Sequence, residues 1–202
     1  MAARAPGTPA RSARPAAPPP ATISVDGLAV AVTVSVSGSD RSGNVVLLGA
    51  VPAARDAYGA ICARLHNAGL RTVVIGTAGV PPDAVPAVLD AVGVRWAVLF
   101  GDRSGAELAW QLAATRFDRF TALVAVDRGH PRACGDDGAQ GCGPVELDTT
   151  ILVSTPAAAA AARASRRYVH GDFRQVDLLD RRRVTESAAQ LAAEIVLRSA
   201  DW

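Results

Sequence analysis

The sequence predicts a three-layer α/β/α sandwich, with a mostly parallel sheet, an antiparallel hairpin at its N-terminal edge and helices on both faces. Three observations carry this. Apolar runs without polar alternation recur at 45–48 (VVLL), 71–75 (RTVVI) and 96–100 (WAVLF), as expected of strands buried on both faces. Segments with helical spacing separate them, and strand following helix in this order favours parallel pairing with crossovers. Residues 23–38 (ISVDGLAVAVTVSVSG) instead alternate, with Asp26-Gly27 between two β-prone runs, the signature of a hairpin.

Taken in order, residues 1–21 are rich in Pro, Ala and Arg and are expected to form a disordered tail, leaving 22–202 as a single domain. A helix is predicted over 54–68, with Tyr58, Ile61, Cys62 and Leu65 on one face, His66 on its exposed side and Gly69 as its stop. The next helix is predicted over 82–92, where Val85, Val88, Leu89 and Val92 fall at i, i+3, i+4 and i+7. After strand 96–100 come a helix over 106–115, a strand over 121–126 and a loop over 127–148 with five glycines. Strand 150–154, an alanine-rich helix over 157–167, strand 173–179 and a helix over 185–199 complete the pattern.

Composition narrows function. All 21 basic residues are arginine, a bias that reads as high genomic GC content, and the net charge of +2 gives no nucleic-acid footprint. The Arg181-Arg182-Arg183 run reads as a solvated approach to the last helix. No apolar run approaches the roughly 20 residues that span a bilayer, nor does the N-terminus hold a signal-peptide core, so no membrane association and a cytoplasmic location are expected. Of three cysteines, Cys62 is expected to be buried in a helix. Cys134 and Cys142 lie in a glycine-rich loop flexible enough for a local bridge, although a cytosolic location favours free thiols, with no ligand set around them for a metal.

The segment 93–131 (GVRWAVLFGDRSGAELAWQLAATRFDRFTALVAVDRGHP), together with 25–79, resembles the α/β-hydrolase family, in particular its lipase, esterase and haloperoxidase-like branch. The resemblance covers residues 23–199 and implies a sharp strand-to-helix turn, the nucleophile elbow, whose flanking glycines avoid backbone collisions. Here the elbow reads Gly101-Asp102-Arg103-Ser104-Gly105, with arginine at the centre. A guanidinium stays protonated and offers no lone pair, so Arg103 is no nucleophile. Moving the frame to Ser104 sets Asp102 and Ala106 at the flanks, where a side chain is unwelcome.

Other family roles are also unfilled. Gly49-Ala50 stands where the oxyanion loop is expected, a role that backbone N–H groups can still fill. Ser154-Thr155-Pro156 offers no acid after its strand, leaving Asp127 as a remnant acid, and 180–185 contains no histidine. His130 and His170 lie elsewhere and would have to approach the elbow to act as bases. Only the loop 127–148 stands where the family inserts a cap, so any pocket over Arg103 is expected to be shallow and wet. The expectation is a degenerate member that lacks triad and cap and acts as a binding or partner-interaction module. Its ligands would be a protein partner, another copy of the chain, or a small anion at Arg103, with no cofactor. The alternative is an atypical serine hydrolase using Ser104 with Asp127 and His130 or His170. A dinucleotide-binding oxidoreductase is disfavoured, because GAVPAAR after Leu48 lacks G-x-G-x-x-G and Gly76 stands where a ribose-binding acid is sought.

Overall fold

In a computed structural model, the described residues are 21–25, 28–35, 43–49, 54–76, 80–135, 142–179 and 187–200, with side chains described from 43 onward except 54–57. Residues 1–20 of the predicted tail and the Arg181-Arg182-Arg183 run lie outside them, whereas Ala21, expected to end that tail, opens the first strand. Strands β1 (Ala21–Val25) and β2 (Leu28–Ser35) come first. Then follow β3 (Asn44–Gly49), α1 (Ala54–Asn67), β4 (Arg71–Gly76), α2 (Ala84–Ala91), β5 (Ala97–Asp102) and α3 (Ser104–Thr115). The chain continues through β6 (Phe120–Val126), α4 (Pro131–Cys134), β7 (Asp148–Val153), α5 (Pro156–Ser165), a 3-10 turn at Arg166–Tyr168, β8 (Phe173–Asp177) and α6 (Ala188–Ser199).

Six strands form a parallel sheet in the order β4-β3-β5-β6-β7-β8. The unbroken apolar runs follow from its two covered faces. Val46, Leu48, Leu99 and Leu123 point into one core with residues of α2, α3 and α5, while Val45, Leu47, Phe100 and Val124 point into the other with residues of α1 and α6. All eight of these side chains are wholly buried. At roughly 1.5–3 kcal/mol each, such burial is the main term holding the layers together. Among the described residues no helix is long and apolar enough to cross a membrane.

Several boundaries differ from the sequence reading, for physical reasons. Trp96, expected to open β5, is 49% exposed and precedes the strand, which runs on to Asp102. Helix α3 starts at Ser104 instead of 106, because the turn before it is complete within one residue. The predicted loop 127–148 contains α4, capped by His130, whose side chain accepts from the Arg132 N–H. Helix α2 starts at Ala84, two residues late. Strand β7 starts two residues earlier and ends one earlier than expected, and β8 ends at Asp177, before Leu178 and Leu179. Helix α5 tightens into the 3-10 turn after Ser165, and α6 begins at Ala188.

Candidate functional site at the strand-to-helix elbow

The chain leaves β3 towards β4 on one side and returns to β5 on the other, so the strand order reverses between β3 and β5. Crevices of open α/β sheets form at the C-terminal ends of strands at such a switch point. Gly49 ends β3 there, and the turn Asp102-Arg103-Ser104 leaves β5 there.

The turn is tight and strained. Arg103 has φ 51° and ψ −119°, a conformation that L residues with a side chain rarely adopt. Its flanking glycines have steric reasons. A Cβ on Gly101 would come within 2.5 Å of the Gly105 carbonyl oxygen and 2.8 Å of the Ala106 Cα. One on Gly105 would run into the Leu48 carbonyl of β3, so the start of α3 lies directly on the neighbouring strand. Arg103 and Ser104 are exposed, whereas Gly101, Asp102 and Gly105 are buried.

Asp102, only 7% exposed, accepts a short hydrogen bond from the Tyr58 hydroxyl of α1. Burial pushes the Asp102 carboxyl above its ordinary range and the nearby Asp127 charge adds to this, while Tyr58 and Arg103 pull it back. Burial, then the Asp102 charge, likewise raises the Tyr58 hydroxyl. The Tyr58 ring meets Phe100 edge-on at 5.9 Å and lies where a Cβ on Gly49 would stand, which gives this glycine a packing role. Ala50 lies outside the described residues.

Asp127, just past β6, also has positive φ, 55°. Its carboxylate accepts from the Ser154 backbone N–H and hydroxyl, both at 2.6 Å, and so braces the ends of β6 and β7. The two histidines weighed as bases lie elsewhere. His130, expected in the loop after Asp127, is wholly buried, stacked on Tyr168 at 4.5 Å and edge-on to Trp110 at 5.2 Å. His170 pairs with Glu146 at 2.9 Å. Among the described residues neither imidazole hydrogen-bonds Ser104 or Asp127. His66, expected on an exposed helix side, is half-buried and shares a 2.8 Å hydrogen bond with Thr72, while burial lowers its pKa.

The cysteines are free. Cys62 and Cys142 are buried and Cys134 is partly exposed. The Cys142 thiol is pushed up to about 11 by burial. Among the described residues no cluster of three or more His, Cys, Asp or Glu side chains is arranged to hold a metal ion.

The site thus joins a strained arginine, a buried tyrosine–carboxylate pair and a second carboxylate that braces the sheet. The partnership of Tyr58 with Asp102, across 44 positions, had no local signal. Its one sequence hint was a tyrosine on the core face of a helix, since a buried phenol needs a partner.

The parallel sheet with its reversal at β3/β5, the helices on both faces and the elbow after β5 make this an α/β-hydrolase fold. Solved structures with this fold include a hydrolase from Pseudomonas aeruginosa, with TM-score 0.69 and 14% identity, the match covering 90% of this chain and 98% of that one. The enol-lactonase from Burkholderia xenovorans matches with TM-score 0.67 and 14% identity over 88% of this chain and 99% of that one. Epoxide hydrolase A from Mycobacterium thermoresistibile matches with TM-score 0.65 and 13% identity over 87% and 98%. No family model matches the sequence, and no curated protein does.

Proposed function

We propose that this chain is a degenerate α/β-hydrolase-fold protein that does not hydrolyse by a triad and uses the elbow for binding. The observation that carries this reading is Arg103 itself: the residue with the elbow's positive φ is a permanent cation, and the adjacent Ser104 meets no imidazole among the described residues. The ligand that fits is a small carboxylate or phosphate held by the Arg103 guanidinium and the first N–H groups of α3. Asp102 lies close enough to offset part of that charge, so the affinity expected for a bare anion is low. A partner chain contributing an acidic side chain fits the same chemistry.

Two measurements test this. A fluorophosphonate probe should leave the folded protein unlabelled, and covalent labelling at Ser104 would instead establish the atypical serine hydrolase. Millimolar phosphate or acetate should raise the thermal midpoint of the wild type but not of Arg103→Ala, because a ligand of the native state must stabilise it. No shift in the wild type would end the anion reading.

We also propose that β1 and β2 form an antiparallel hairpin along the free edge of β4. Its support is the Asp26-Gly27 pair between β-prone runs and an antiparallel register that matches Val32 with Ile75.

A further inference from the structure

Beyond the elbow, the most unusual group in the molecule is His130. The sequence puts it in a glycine-rich connection, yet it has no exposed surface. Four pieces of chain converge on it. Its backbone N–H donates to the Ser165 hydroxyl of α5 at 2.7 Å, and its Nδ1 accepts from the Arg132 N–H at 3.2 Å, capping α4. Its Nε2 lies 2.9 Å from the Gly143 carbonyl and 3.4 Å from the Cys142 thiol. The ring is enclosed by Trp110 of α3 and Tyr168 of the 3-10 turn. Just upstream, the Trp110 indole donates to the Arg128 carbonyl at 3.1 Å, and a Cβ on Gly129 would come within 2.8 Å of the Ala161 carbonyl oxygen. Residues 128–134 are therefore closely docked on α3 and α5, with His130 as the pin.

The hydrogen bonds fix the tautomer. Nδ1 receives a proton from a backbone N–H, so the ring's own proton sits on Nε2 and points at the Gly143 carbonyl. A second proton can go only to Nδ1, where it would face the Arg132 N–H donor and remove the α4 cap. Of the described groups around the ring, the Gly143 carbonyl favours the resulting cation and the Arg132 guanidinium disfavours it. The charged and titratable groups facing this cluster are the Cys142 thiol, the Tyr168 phenol, and the guanidinium groups of Arg132 and Arg167, at 5.6 Å and 4.9 Å from the Tyr168 ring centre. On neighbouring elements Arg128 pairs with Glu107 of α3, Arg166 donates to the Val169 carbonyl, and the Cys134 thiol is partly exposed at the end of α4. Among the described residues no carboxylate hydrogen-bonds the ring.

We infer that His130 is an acid-sensitive pin: neutral, it docks residues 128–134 and 142–144 against α3 and α5, and protonated, it releases them. Burial, first, and the Arg132 charge lower the imidazole's pKa, partly opposed by the Gly143 bond, in keeping with this geometry. The sign follows from linkage. A histidine whose docked pKa lies below its free value of about 6.5 stabilises docking above that value, and the stabilisation is lost as pH falls through the docked pKa. Release would loosen the chain beside Asp127, whose strand end β6 pairs Val126 with Asp102 at the elbow. The pin would thereby couple acidification to the surroundings of Arg103, although it stands independently of what the elbow binds.

The test is amide hydrogen exchange on the full chain between pH 7.5 and 5, corrected for intrinsic exchange, in wild type and His130→Asn. Protection of the hydrogen-bonded amides of His130, Arg132, Ala133 and Cys134 should fall in the wild type, approaching ten-fold per pH unit below about pH 6.5, while β5 and β6 stay protected. The variant should show exchange at these amides that is independent of pH. Nitrogen-15 spectra of histidine in the wild type supply a second measurement needing no variant, and should show the Nε2–H tautomer at pH 7.5. Flat protection in the wild type, an equal fall in His130→Asn, or a proton on Nδ1 at pH 7.5 would each overturn the inference.

Discussion

Replacing Tyr58 by phenylalanine isolates the most consequential buried polar contact in the site. The ring and its edge contact with Phe100 are retained, and only the hydroxyl that donates to Asp102 is lost. Tyr58 is 3% and Asp102 7% exposed, so water does not readily replace the missing donor. A hydrogen bond to a charged group contributes about 1.5–3 kcal/mol, and removing a donor from a buried carboxylate belongs in the upper half of that range. Once Asp102 is protonated the lost bond is a neutral one, and the deficit falls to about 1 kcal/mol. The direction with pH follows. Burial already holds the Asp102 pKa above its unfolded value and Tyr58 pulls it down, so the substitution raises it further. A carboxyl with a raised folded pKa stabilises below its unfolded pKa, and that stabilisation is lost as pH rises through the folded value. The Tyr58→Phe deficit must therefore be larger at pH 8 than at pH 4.5. Urea unfolding followed by circular dichroism is the assay. With a slope of about 2 kcal/mol/M, the midpoint should drop by about 1.1–1.5 M at pH 8 and by about 0.5 M at pH 4.5. Equal drops at the two pH values, or a loss below about 0.5 kcal/mol at pH 8, would refute the assignment of Asp102 as a buried charge held by Tyr58.

The elbow itself gives two predictions of opposite sign. Arg103→Gly should stabilise the fold by about 1 kcal/mol, since glycine removes about 1–3 kcal/mol of strain at φ 51° at an entropic cost of about 0.5–1 kcal/mol. Calorimetry should show the melting temperature rising by about 2–4 °C, and a decrease would mean that the guanidinium makes compensating contacts. Gly101→Ala should destabilise by about 3 kcal/mol or more, because the new methyl meets backbone of Gly105 and Ala106, which moves only if α3 moves. A urea midpoint within error of wild type for that variant would show that the turn is looser than its geometry indicates.

The layering could be read from the sequence because its causes are local. A strand covered on both faces needs an unbroken apolar run, as at 45–48, and a helix lying on a sheet needs apolar residues at 3.6 spacing, as in Val85, Val88 and Leu89. The elbow was legible for a similar reason: a turn that allows no Cβ at two places, four positions apart, leaves two glycines as its trace. Strand ends were less so, since hydrogen bonds to neighbours set them. Trp96 has the composition of a strand residue, yet it stands outside β5.

What the chain alone left open was partnership. Tyr58 and Asp102 are one buried pair only because α1 lies over the end of β5, and Asp127 meets Ser154 only because β6 and β7 end side by side. His130 shows this most clearly. Its neighbours Gly129 and Pro131 suggest an open loop, but Trp110, Tyr168 and Cys142 close round it from positions 20, 38 and 12 residues away in the chain. Periodicity and steric exclusion act over a few residues and are written into local sequence. Which polar group finds which is settled by packing between distant segments, and the tertiary structure alone decided it.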